Sequence, residues 1–183
     1  MEKFSLTLKE IATNIIKVSE IIDIDDLEKF IFLIKNSRMT FIYGAGRSGF
    51  IGRCFAQRLM HLGFESCFIS DAVTKRFTNN DCVILISGSG STLSTQAIAN
   101  GAKKIAGKLI LITSNPECEI ARFSDLVFDL KSKTKISKEK SLAPYTSLFD
   151  SATLAFTDAV ARLIMDKFNI PEKEIDQRHA SLE

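Results

Sequence analysis

The sequence predicts a three-layer α/β fold, a doubly wound sheet of five parallel strands preceded by two helices, and three observations carry that prediction. Short apolar runs recur between residues 40 and 129, each bounded by turn residues. Segments with apolar residues at three- and four-residue steps lie between them. Two of the runs break directly into glycine and hydroxyl residues, at Gly44-Ala45-Gly46-Arg47-Ser48-Gly49 and at Ser87-Gly88-Ser89-Gly90-Ser91-Thr92. Short apolar strands alternating with helices require a parallel sheet covered on both faces, because each crossover lays a helix on one face or the other.

Taken in order, residues 1–37 hold two amphipathic helices. Leu6, Leu8, Ile11, Ile15, Ile16 and Val18 mark one over 4–20, and Ile24, Leu27, Phe30, Ile31 and Ile34 mark another over 24–36. Asp23 or Asp25 is placed to cap the second. Helices ahead of an α/β core have no obligatory place in it and suit contact with a neighbouring subunit. The core, residues 38–130, carries strands at 40–43, 65–69, 82–87, 108–113 and 125–129, with helices at 48–62, 92–106 and 117–122. This is a flavodoxin-like arrangement, in which ligands sit at the carboxyl ends of the strands. Residues 131–140 read Lys-Ser-Lys-Thr-Lys-Ile-Ser-Lys-Glu-Lys, a solvated loop by its charge, with a phosphate-attracting rim as the alternative. The longest helix spans 146–168, with Phe149, Ala152, Phe156, Val160, Leu163 and Ile164 on one face, and Pro171 ends it. A polar tail, 172–183, completes a single domain.

Composition narrows the function classes. With 45% hydrophobic residues in 183, the chain has material for a substantial core. Its 24 basic residues are nearly balanced by 22 acidic ones, whereas a nucleic-acid binder shows a basic excess. Cys54, Cys67, Cys82 and Cys118 form no C-x-x-C pair, and only two histidines are present, so no metal site is expected. No apolar run reaches bilayer length and the amino terminus lacks a signal-peptide core, so the expectation is a cytoplasmic protein with no membrane partner.

The two glycine loops carry the chemistry. Glycine lets the chain turn sharply and lets a ligand approach the backbone. The helix that follows presents free N–H groups and the positive end of its dipole, which together make an anion cradle. Gly44-x-Gly46-x-x-Gly49 after a strand also matches the dinucleotide fingerprint, with Asp71 as the acid for a ribose. The second loop argues against that reading. A helix cap needs one hydroxyl, whereas Ser87, Ser89, Ser91 and Thr92 supply four beside two glycines. Phosphate requires several donors at short range, so a phosphorylated small molecule is the ligand these loops predict.

The run from Gly44 through Gly63, the loop Ser87–Thr92 and the tail Arg178-His179-Ala180-Ser181-Leu182-Glu183 resemble the sugar isomerase (SIS) domain and, within it, the 6-phospho-3-hexuloisomerases. The resemblance covers essentially the whole chain. It implies a sugar phosphate held by Ser87, Gly88, Ser89 and Thr92 with help from Ser48, against the turn formed by Gly44 and Gly46. It also implies interconversion of a 3-hexulose 6-phosphate and fructose 6-phosphate through a cis-enediol. No metal or organic cofactor is implied, and the family is oligomeric, usually tetrameric, with sites shared between subunits.

Such a reaction needs a base and a group that stabilises an oxyanion. The resemblance places a glutamate where this chain has Asp150, whose reach is shorter by about 1.5 Å. Asp150 near a helix start is also favourable with the dipole, whatever its chemistry. His179 is the second candidate, as a proton shuttle, since histidine exchanges protons near neutral pH; a terminal histidine is equally a surface residue. If the tail reaches an adjacent subunit, His179 completes that neighbour's site. Arg47 is placed to neutralise the enediolate or hold sugar hydroxyls, while His61 reads as a partner of its helix's carboxyl end. A non-catalytic phosphosugar-binding module and an isomerase of another sugar phosphate, such as an arabinose or heptose phosphate, are the competing functions.

Overall fold

The computed structural model describes residues 1–181, so Leu182 and Glu183 of the tail motif lie outside the described residues. The elements run α1 (Glu2–Ile21), α2 (Ile24–Lys35), β1 (Thr40–Gly44), α3 (Arg47–His61), β2 (Ser66–Phe68), β3 (Cys82–Ile86), α4 (Leu93–Ile105), β4 (Lys108–Thr113), β5 (Leu126–Asp129), α5 (Ser147–Phe168) and α6 (Glu172–Gln177). All five strands are parallel, in the order β2-β1-β3-β4-β5. The predicted fold class is therefore the observed one.

Each central strand is buried on both faces, and its side chains alternate between two cores, as the two-residue period of a strand dictates. Ile42, Ile84, Ile86, Ile110, Ile112 and Phe128 meet α2, α3 and α5 through Phe30, Phe55, Leu59, Phe149, Phe156 and Ile164. Phe41, Val83, Leu85, Leu109 and Leu111 meet α4 through Ala99 and Ala102 on the other side. The first core is the larger, and its aromatic centre is Phe30, Phe128 and Phe156, with Phe128 5.2 Å from Phe30 and 4.8 Å from Phe156 between ring centroids.

Several elements differ from expectation for identifiable reasons. The helix expected at 117–122 is a single 3-10 turn, Ile120–Phe123, built from i to i+3 bonds such as Cys118 N–H to Asn115 O and Ala121 N–H to Cys118 O. Pro116 lies just ahead of it, and β5 begins too soon afterwards for an α-helix to propagate. The long helix α5 stops at Asn169, which takes a left-handed conformation (φ +52°) while Ile170 N–H bonds back to Met165 O. Pro171 therefore follows the end instead of making it. Part of the expected tail is the short helix α6. Asp23, the first of the two candidate caps, accepts from Asp25 N–H at 2.7 Å. Both amino-terminal helices lie against α5 of their own chain.

Two carboxylates, Asp81 buried and Asp125 half-buried, fasten the amino-terminal rim of the sheet. Asp81, just before β3, takes Arg38 at 2.7 Å, the Thr78 N–H at 2.7 Å and the Thr78 hydroxyl at 2.8 Å on its Oδ2. Asp125, just before β5, accepts from Leu109 N–H and Lys108, each at 2.9 Å. Burial pushes both carboxyls up, but these donors outweigh it and hold both below the ordinary carboxylate range.

Candidate active site

The site lies on the opposite rim. β1 and β3 are neighbours, paired from Thr40 with Cys82 to Gly44 with Ile86, so their carboxyl ends finish level. The following helices then leave on opposite faces, α3 toward the larger core and α4 toward the smaller. A crevice opens at this switch point, where such sheets bind ligands.

The glycines of the first loop have separate structural reasons. Gly46 takes φ +59° and ψ −130°, a region closed to side-chain-bearing residues, and so makes the turn into α3. Gly44 and Gly49 instead allow β1 and α3 to touch. A Cβ on Gly44 would lie 2.7 Å from the Ser48 carbonyl, and one on Gly49 would lie 2.5 Å from Gly44 O. Asp71, the acid a dinucleotide site would use, is paired with Arg53 at 3.1 Å and does not line the crevice.

The crevice is a cavity of about 320 Å³, within the range of small-molecule sites. Gly46, Arg47 and Ser48 form one wall and Ser87, Gly88, Ser89 and Thr92 the facing one. The first turns of α3 and α4 carry no acidic residue, so the positive ends of both helix dipoles remain available to a ligand. Thr92 occupies the cap position of α4, yet its side chain makes no capping bond. That hydroxyl is not committed to holding the helix. The loop itself is rigid: Ser87 N–H bonds Ile112 O, Gly90 turns back with φ +63°, and the Ser91 hydroxyl donates to Ser89 Oγ at 2.9 Å. Asn115 and Thr113 hold the carbonyls of Ser89 and Gly88 from the adjacent strand.

Asp150 and Arg47, 103 residues apart in sequence, meet as an ion pair, Arg47 Nε to Asp150 Oδ2 at 2.7 Å. The Thr146 hydroxyl donates to the same oxygen at 2.7 Å. Asp150 Oδ1 is buried and has no partner among the described residues. Arg47 and Thr146 line the cavity; Asp150 lies behind them, with its side chain 3% exposed against 67% for Arg47. His179 is elsewhere. It stacks on His61 at 4.2 Å, beyond the far end of α3, about 21 Å along that helix from Arg47. Arg178 fixes this placement by donating to His61 O at 3.1 Å and to Glu174 at 2.9 Å. The expected trio therefore divides: one chain assembles Arg47 and Asp150 but does not bring its own His179 to them.

Thr134, Lys135, Tyr145 and Thr146 are among the lining residues that were given no site role from the sequence. Thr146 stands in the stretch that begins α5, and its hydroxyl four residues before Asp150 was a readable signal. Thr134 and Lys135 belong to the lysine-rich segment expected to be solvated.

Comparison with known proteins agrees with this geometry. The family model described as the SIS domain matches residues 33–162, which spans the whole sheet and most of α5. A 3-hexulose-6-phosphate isomerase of Methanocaldococcus jannaschii is 42% identical over 157 residues, covering 85% of this chain and 83% of that protein. One from Bacillus subtilis is 36% identical over 153 residues, covering 82% of this chain and 83% of its own. A crystal structure from Methanococcus jannaschii, whose inferred molecular function is 3-hexulose-6-phosphate isomerase, superposes with a TM-score of 0.87 at 36% identity over the full length of both chains. With its sheet order, its two glycine loops at one rim and this match all in agreement, the chain belongs to the SIS domain family.

Proposed function

We propose that this protein is a phosphosugar isomerase converting D-arabino-3-hexulose 6-phosphate to fructose 6-phosphate. The observation that carries the reading is the cavity itself, where two helix amino termini and a rigid hydroxyl loop converge and the Thr92 hydroxyl is unspent. The similarity to proteins named 3-hexulose-6-phosphate isomerase selects the sugar. Phosphate sits on Ser87, Gly88, Ser89 and Thr92, with Ser48 across the gap and the Gly44–Gly46 turn beneath.

The reaction removes the proton from C2 of the 3-ketose, leaving a 2,3-enediolate, and returns a proton to C3, while the hydroxyl proton passes from O2 to O3. Arg47 neutralises the enediolate. Asp150 is the base, reaching the substrate once Arg47 turns from it toward the bound sugar phosphate, and it takes the C2 proton. His179 serves as the proton shuttle in a neighbouring chain's site, in keeping with its distance from its own. A cytoplasmic homotetramer with shared sites follows from this reading, acting in the ribulose monophosphate route.

The test supplies 3-hexulose 6-phosphate, made in situ from formaldehyde and ribulose 5-phosphate by a synthase, and follows fructose 6-phosphate by coupled NADP reduction. Turnover is expected, with Ser89→Ala raising KM and Asp150→Asn lowering kcat. Mixing Asp150→Asn with His179→Ala protein is expected to restore activity in hybrid oligomers. Unchanged kcat in Asp150→Asn removes it as base, and sugar-phosphate binding without turnover makes the protein a binding module.

A further inference from the structure

The segment Lys131–Lys140 is more than a solvated loop. Its first half runs across the carboxyl rim of the sheet, with Ser132 and Thr134 buried at 3% and 2% exposure, Lys133 between them half-buried, and Lys131 and Lys135 on either side exposed. The strap is anchored to the rest of the fold at Ser132 and closed by a local turn at Thr134. Ser132 N–H donates to Ser114 Oγ at 3.0 Å, Asn14 donates to Ser132 Oγ at 2.9 Å, and Thr134 N–H donates to Ser137 Oγ at 3.0 Å. Thr134 and Lys135 both line the cavity that holds Ser87–Ser89.

Thr134 is placed oddly for a structural residue. Its methyl lies against Gly88, where a Cβ would come within 2.8 Å of Thr134 Cγ2, so the side chain is held at the centre of the hydroxyl loop. Its hydroxyl oxygen is buried and has no hydrogen-bond partner among the described residues. Buried hydroxyls are ordinarily bonded, and leaving one unpaired is costly. A valine would fill the same space without that cost. The hydroxyl is therefore understandable if a ligand in the cavity supplies its partner. Lys135, the next residue, brings an exposed cation to the lining of the cavity that Arg47 also lines, and the Nε of Arg47 is committed to Asp150.

We propose that Thr134 and Lys135 are substrate-binding residues at the phosphate end of the site: the Thr134 hydroxyl donates to a phosphate oxygen held over Gly88, and Lys135 pairs with the same group. This rests on the phosphosugar reading of the cavity. It makes the strap the third wall of the anion cradle, beside the two glycine loops.

The experiment measures, by calorimetric titration on the full chain, binding of fructose 6-phosphate and of inorganic phosphate to the wild type, Thr134→Val, Thr134→Ser, Lys135→Met and Ser89→Ala, with a thermal melt of each unliganded protein. Thr134→Val and Lys135→Met are each expected to weaken both ligands about tenfold, as loss of one charge-assisted bond does. Thr134→Ser retains affinity, and Lys135→Met flattens the salt dependence of binding. Thr134→Val melts no lower than the wild type, because it replaces an unpaired hydroxyl by an apolar group of the same shape. Wild-type affinity in both Thr134→Val and Lys135→Met overturns the inference, as does a lower melting temperature in Thr134→Val with affinity unchanged. If the wild type binds phosphate but not the sugar phosphate, and the strap variants lose phosphate, the strap assignment stands and the substrate reading falls. If the wild type binds neither, both fall.

Discussion

Removing Arg47 is predicted to destabilise the fold more than removing the charge of its partner Asp150, although the two form one ion pair. Asp150 is 2% exposed, and its Oδ2 takes Arg47 Nε and the Thr146 hydroxyl, each at 2.7 Å, while Oδ1 has no partner among the described residues. In Arg47→Met the carboxylate stays buried with a single neutral donor. Losing a charge-assisted bond to a buried group costs about 1.5–3 kcal/mol, and leaving a buried charge uncompensated raises this toward about 3–5 kcal/mol. We take about 3 kcal/mol. In Asp150→Asn the guanidinium, 67% exposed, is simply rehydrated, and the amide oxygen keeps the Thr146 bond, so the loss is about 1 kcal/mol or less. For a chain of this size the melting temperature falls about 6–12 °C in the first variant and about 0–4 °C in the second. The double variant recovers most of the Arg47→Met loss, because the stranded charge is gone. Urea unfolding of the four proteins gives the cycle directly. An Asp150→Asn loss equal to or larger than that of Arg47→Met, or a double variant no better than Arg47→Met, would refute the account of which partner depends on the other.

Two further outcomes follow from other parts of the fold. In Gly90→Ala the new Cβ meets Cys118 Sγ at 2.3 Å in a backbone held at φ +63°, so strain and overpacking together cost about 3 kcal/mol; adding Cys118→Ala should return the steric part, and an unchanged melting temperature on that addition would exclude the clash. The carboxyls of Asp81 and Asp125 titrate lower in the folded than in the unfolded chain, so the unfolded chain binds more protons in the acid range and their stabilisation is present above about pH 4 and lost below it. Urea midpoints should fall steeply between about pH 5 and pH 3, and less steeply in Asp81→Asn; equal slopes in the two proteins would remove Asp81 as a source of acid sensitivity.

The sheet was legible because it is made locally. Runs such as Cys82-Val83-Ile84-Leu85-Ile86 are apolar on both faces, which a buried parallel strand requires and a surface helix does not. The hydroxyl loop that lines the cavity was legible for a similar reason, since Ser87–Thr92 carries more hydroxyls than a cap can use. What stayed hidden depends on contacts between distant segments. The pairing of Arg47 with Asp150 across the crevice decides whether that carboxylate lines the cavity or stands behind it, and no local pattern records it. The same is true of His179, whose motif is readable but whose place is set by Arg178 docking on the end of α3. Thr134 was obscured by its neighbours: Lys131, Lys133, Lys135, Lys138 and Lys140 make the segment look uniformly solvated, while the strap buries Ser132 and Thr134.

The electrostatic character of the site likewise escapes composition. The chain carries a formal net charge of only +2, which by itself points to no ligand. The cavity is different, because its surroundings are sorted by sign. Two helix amino termini, Arg47 and Lys135 line it, no carboxylate does among the described residues, and Asp150 is buried behind Arg47 and paired with it. Asp81 and Asp125 lie on the opposite rim. A small anion therefore meets positive groups in a recess of small-molecule size, with Gly88 kept bare because the Phe149 ring and the Thr134 methyl fill the space behind it. That combination selects phosphate on a small molecule. The ion pair belongs to the same pattern: a carboxylate free in this field would repel an anion, whereas Asp150 is held by Arg47 behind the cavity wall.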